Sequence, residues 1–116
     1  MIYLASPYTT TDKHLKETRL KNLKNICSIL LNAKYNIISP VLHNAYLFEE
    51  VKILDSSWDF WKLYCLDILS KCNELFVFKD IQWESSIGVN EEIRFSKQNG
   101  IPIKYLTLND DKIIFE

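Results

Sequence analysis

The sequence predicts an α/β domain of flavodoxin- or Rossmann-like type: a parallel sheet of four to five strands with helices on both faces. Three observations predict it. Short apolar runs (IYLA, YNIIS, ELFVF and IPIKYL) recur along the chain. Stretches with helical spacing lie between them. Two of the runs stop at Ser-Pro steps, Ser6-Pro7 and Ser39-Pro40, and the residue before a proline is pushed out of helical geometry. Strands that alternate with helices imply a parallel sheet whose crossovers cover both faces.

Each element has its own signal. Ile2 to Ala5 reads as a buried strand. Leu15, Arg19, Leu23, Ile26, Leu30 and Ala33 then fall on one face of a helix at steps of three and four, with lysines on the other face. Asp12 is the expected N-cap. Tyr35 to Ser39 reads as the second strand, and Val41 to Val51 as a short helix or a loop with a helical turn. Ser56 or Ser57 caps a helix expected over Trp58 to Cys72. Glu74 to Phe78 is the central strand, ended by Lys79-Asp80. A loop, DIQWESSIG, leads to a helix expected over Val89 to Gln98, closed by Asn99-Gly100. Ile101 to Leu106 is a strand with its proline near the start, where a missing N–H costs least. Lys112 to Phe115 is a last short strand.

The chain of 116 residues, 47% apolar and 25% charged with a net charge of −1, suits one soluble domain with its own core. No basic run supports binding to a nucleic acid polymer. The opening MIYLASPY lacks the basic start of a signal peptide. No apolar stretch approaches the roughly 20 residues that cross a bilayer. The reading is a cytoplasmic protein with no membrane partner. Cys27, Cys65 and Cys72 form no CxxC pair and read as small buried hydrophobes. His14 and His43 lie too far apart to suggest a metal site.

In such folds the ligand lies beyond the carboxyl ends of the strands. The loops SPY, SPVLH and KDIQWESSIG should therefore converge at one rim. That rim has no GxGxxG and no GxxxxGK[ST], and the chain's two glycines, Gly88 and Gly100, exclude a glycine-rich phosphate cradle. Ser6, Ser85 and Ser86, with helix N-terminal N–H groups, remain as phosphate ligands. No GxSxG elbow is present. Carboxylates are plentiful: Asp80, Glu84, Glu91 and Glu92, with Asp59 and Asp67 on the preceding helix. Glu91 and Glu92 fall at the start of a predicted helix, where the dipole keeps a carboxylate ionised. An ionised carboxylate can attack the anomeric carbon of a sugar. Tyr8, Trp58, Trp61 and Trp83 offer aromatic faces for a planar base.

YLASPY, the SPxxH step, the DxxW…D segment, CNELFVF and the SxGxxxExxxSxxxG spacing together resemble the nucleoside 2-deoxyribosyltransferase-like superfamily, which includes the 2′-deoxynucleoside 5′-monophosphate N-glycosidases. The resemblance runs from Ile2 to Ile103. It implies that Glu92, four residues after Gly88, is the nucleophile and that Glu91 points elsewhere. It implies that Asp67 contacts the sugar or assists at the base. Ser86, six residues before Glu92, matches a phosphate-contacting serine, which favours a nucleotide over a nucleoside. Tyr8 matches a pocket-lining aromatic, and His43 and Arg19 stand as base and phosphate contacts. Ser6 and Gly88 complete the expected substrate-binding set. Ser96 and Asn73 depart from the family's usual alanine and aspartate.

The activity implied is cleavage of an N-glycosidic bond in a nucleoside or nucleotide through a glycosyl-Glu92 intermediate, resolved by water or by a second base. Neither cofactor nor metal is required. A non-catalytic nucleotide-binding or sensor module of the same fold is the alternative. A phosphoribohydrolase of the cytokinin-activating type is disfavoured, because its PGGxGT motif is missing. The aromatic run WDFW, and the resemblance, imply a homo-oligomer built on a dimer.

Overall fold

The computed structural model describes residues 1–51 and 57–116. Five strands form one sheet in the order β2-β1-β3-β4-β5, made of β1 (Ile2–Ala5), β2 (Ile37–Ile38), β3 (Glu74–Phe78), β4 (Ile103–Asn109) and β5 (Lys112–Phe115). This is the flavodoxin-like order, with its switch point between β1 and β3. The first four strands pair in parallel, with Tyr3 opposite Leu75 and Val77 opposite Tyr105.

The fifth strand, the short one expected at the end of the chain, runs antiparallel to β4. Asp110 and Asp111 both take positive φ, 47° and 63°, between the paired residues Asn109 and Lys112. That is the backbone of a two-residue hairpin turn, and short side chains that tolerate left-handed φ make it.

Strand alternation sends side chains to two helical layers. Leu4, Phe76, Phe78 and Leu106 pack with Leu23, Ile26, Cys27 and Leu30 of helix α1 (Lys13–Asn32). Tyr3, Ala5, Leu75 and Val77 pack on the opposite face. There they meet Cys65 and Leu69 of helix α3 (Trp58–Ser70) and Val89 of helix α4 (Ile87–Gln98). All three cysteines are buried and free.

Helix ends follow local chemistry. Asp12 accepts from the Leu15 N–H at 3.1 Å and caps α1. The Ser-Pro step that ends β2 also starts helix α2 (Pro40–Val51), a full helix where a short helix or loop was expected. Pro40 takes the first position, where its missing N–H has no helical acceptor to lose, and Ser39 Oγ accepts from Leu42 N at 3.2 Å. Ser57 caps α3, accepting from Phe60 N at 3.3 Å, while Ser56 lies outside the described residues. Helix α3 ends at Ser70, because the N–H groups of Lys71 and Cys72 fold back onto Ile68 and Leu69.

Helix α4 begins two residues earlier than expected, because Ser86 caps it by accepting from Val89 N at 3.2 Å. Glu91 and Glu92 therefore sit in its second turn, past the first-turn N–H groups that the dipole argument needed. At its other end Gly100, with φ 69°, turns the chain so that Ile101 N reaches Ser96 O at 2.9 Å. No helix among the described residues is long and apolar enough to cross a membrane.

Candidate functional site

A cavity of about 360 Å³ opens at the carboxyl ends of β1 and β3, where the chain leaves the two strands in opposite directions. That volume falls in the range of small-molecule sites. Ser6 and Tyr8 line it from the end of β1, Val41 and Asn44 from α2, and Trp58, Trp61 and Cys65 from α3. Ser86, Gly88 and Glu92 complete it from the loop and helix after β3.

Glu92 is 4% exposed and turns inward. The Tyr3 hydroxyl, buried in the sheet, donates to its Oε2. Burial pushes the Glu92 carboxyl up to about 8, and the bond from Tyr3 pulls the other way. Glu92 therefore carries its proton over most molecules at neutral pH. This corrects the expectation that a dipole keeps it ionised: the carboxyl is one turn too deep in the helix, and desolvation outweighs what remains. Burial, with the Glu92 charge, holds Tyr3 well above its ordinary value, so Tyr3 stays a donor. Burial likewise raises the Cys65 thiol to about 11, against hydrogen bonds to Tyr3 and Asn44.

Glu91 does point elsewhere. It accepts from Trp58 Nε1 at 3.0 Å and pairs with Lys62 at 3.1 Å. Those two partners hold its carboxyl below the ordinary value. One step along a helix turns a side chain by about 100°, and that rotation separates an inward acid from one that ties α4 to α3. Gly88 serves the same packing: a Cβ there would stand 3.0 Å from Trp58 Cε3, so the indole lies against bare backbone.

The serines separate by what they bond. Ser85 Oγ donates to Gln82 O at 2.9 Å and closes the 3-10 turn Trp83–Ser85. Ser86 caps α4 at the pocket wall. Ser6 is 4% exposed, and its Oγ has no hydrogen-bond partner among the described residues.

Three expected site residues do not reach the cavity. Asp67 is exposed near the C-terminal end of α3 and pairs with Lys71 at 2.8 Å. It lies off the stripe of Trp58, Trp61 and Cys65 that α3 presents to the pocket, whereas Asp59 of the same helix lines it. Arg19 is buried against the loop after β3, its Nε donating to Ile81 O at 3.0 Å with Asp80 close by. It braces that loop rather than facing the ligand space. His43 stacks on Tyr64 at 6.4 Å and borders a separate groove between α1 and α2. Its neighbour Asn44 lines the pocket instead. Trp83 packs on Tyr105 at 5.9 Å, away from the cavity lining.

Tyr3, Asn44 and Cys65 escaped the sequence reading. Tyr3 and Cys65 look like core residues at their periodic positions. Asn44 had a signal: it lies one helical turn after Val41, so a helix started at Pro40 puts both on one face.

Fold and site together define a single-domain, flavodoxin-like α/β protein with a buried carboxyl at its switch-point pocket. The chain belongs to the family DUF1937, described as a domain of unknown function, which matches residues 1–107. No curated protein matches it.

Proposed function

We propose that the pocket binds a nucleoside or nucleoside 5′-monophosphate and cleaves its N-glycosidic bond, as the resemblance to the nucleoside 2-deoxyribosyltransferase-like superfamily implies. The observation that carries this reading is Glu92: a buried carboxyl, held on one oxygen by Tyr3, at the end of a nucleoside-sized cavity. In its ionised form Glu92 keeps Oε2 on the Tyr3 hydroxyl and has Oε1 to attack C1′ from the side opposite the base. The C1′–N bond breaks, its electron pair goes to the base, and the base takes a proton from solvent water, which is returned when water opens the ester. The resulting glycosyl ester is opened by water in hydrolysis, the preferred outcome, or by a second base in transfer. A dry site with one fixed donor favours the charge shift toward an oxocarbenium-like state.

Trp61 and Tyr8 supply aromatic walls for the base. Asp59 takes the base-contacting role first given to Asp67, accepting from ring or amino N–H groups. A 5′-phosphate suits the start of α4, where Ser86 stands beside first-turn N–H groups that have no acceptor within the helix. The working form is a cytoplasmic homodimer joined through the outer side of α3, where Leu63 is 83% exposed beside Phe60 and Tyr64.

Chromatography of the protein with a panel of nucleosides and monophosphates, with and without a second free base, tests the reaction. Base release that disappears in Glu92→Gln is expected. Failure to release a base from any of them refutes it. The protonated state of Glu92 at neutral pH favours a second reading, a nucleotide-binding module. That reading predicts ligand-induced stabilisation without base release.

A further inference from the structure

Ser6 follows β1 directly, three residues after Tyr3, and shares the pocket with Glu92, Asn44 and Cys65. The polar groups around it have partners within the protein. Tyr3 donates to Glu92, Asn44 Oδ1 lies 3.3 Å from His43 Nδ1, and Ser86 Oγ accepts from Val89 N. Cys65 is hydrogen-bonded to both Tyr3 and Asn44. Ser6 Oγ differs: it is buried, polar and without a partner among the described residues. A buried hydroxyl left unpaired is unfavourable, so this one calls for a partner that arrives with the ligand.

Stereochemistry identifies that partner. A nucleophile that displaces the base of a β-nucleoside approaches C1′ from the opposite face of the furanose ring. On ribose, the 2′-hydroxyl projects from that same face, on the carbon bonded to C1′. Ser6 lines the same pocket as Glu92 and its hydroxyl lacks a partner among the described residues, so it is the group available to the 2′ position. A hydroxyl both donates and accepts, as Ser6 does. The geometry points to Ser6 as the residue that receives the 2′-hydroxyl, so that the pocket selects ribosyl over 2′-deoxyribosyl substrates. This inference rests on Glu92 being the group that faces C1′.

Binding is followed by the fluorescence of the pocket tryptophans, Trp58 and Trp61. The titrants are the four common ribonucleosides with their 2′-deoxy and 3′-deoxy counterparts, and their 5′-monophosphates. The unmodified protein is expected to bind the ribo form about tenfold or more tightly than the 2′-deoxy form, because a site that bonds a hydroxyl rejects the analogue lacking it. Ser6→Ala brings that ratio to within about threefold by weakening the ribo form alone. Ser6→Cys, which keeps the side-chain shape but offers only a weak thiol donor, lowers the ratio in the same direction. The 3′-deoxy form keeps its sensitivity to Ser6→Ala.

Equal affinity of the unmodified protein for ribo and 2′-deoxy forms overturns the inference. So does a preference that survives both substitutions, or the absence of binding by every titrant. Chromatography of the same samples scores the reaction separately. Selective binding without base release upholds the role of Ser6 and removes the catalysis. Base release with a ratio indifferent to Ser6 does the reverse.

Discussion

Replacing Glu92 with glutamine should make the protein less sensitive to pH, and the size of the effect follows from the burial of one carboxyl. Folding raises the Glu92 pKa from 4.5 to about 8. A raised pKa means that the folded state holds the proton more tightly than the unfolded chain does. The stabilisation from that proton is complete below 4.5 and is lost as pH climbs toward about 8. At about 1.4 kcal/mol per unit, the unmodified protein loses about 2–3 kcal/mol through this group between about pH 5 and pH 7. Glutamine has nearly the same shape, accepts from Tyr3, and has no proton to lose. The variant should therefore gain about 2–3 kcal/mol on the parent over that interval. Asp80, whose carboxyl burial also raises, titrates in both proteins and cancels in the difference. Urea unfolding followed by far-ultraviolet circular dichroism at several pH values measures it. A stability difference that stays constant across the interval would refute the burial of Glu92 as the source of its shift.

The same ionisation should govern catalysis: kcat/KM for base release is expected to rise with pH and level off above about 8. Tyr3→Phe removes the bond that lowers the Glu92 pKa, so its pH profile should shift upward while kcat at neutral pH falls about tenfold or more. An unshifted profile would show that Tyr3 does not act on Glu92. Gly88→Ala places a methyl 3.0 Å from Trp58 Cε3 and should weaken ligand binding by displacing the indole, read by tryptophan fluorescence and a thermal melt. Asp67→Asn loses only an exposed pair with Lys71 and should alter stability by less than about 0.5 kcal/mol, with base release unchanged. Light scattering at micromolar protein should give a dimer mass, and Leu63→Lys on the exposed side of α3 should return it to the 13.7 kDa monomer.

By itself the sequence determined the order of the elements, the depth of the sheet and the helix faces, because those depend on local spacing. The run ELFVF is apolar throughout because β3 is covered on both faces, and Leu23, Ile26 and Leu30 recur at helical steps because α1 covers one of them. The family resemblance, counted from Gly88, also singled out Glu92 rather than Glu91 as the expected nucleophile. Only the tertiary structure decided what surrounds that acid. The start of α4 depended on which serine capped it, and the two-residue difference moved Glu92 from the dipole to the desolvated interior. Tyr3 and Glu92 are 89 residues apart, and their bond exists because β1 lies under α4. Asp67 and Arg19 carry the right chemistry, but α3 turns one outward and Ile81 engages the other. Periodicity records which face of an element is buried, not which group of another element lies against it, and the pKa of a buried carboxyl is set by those neighbours.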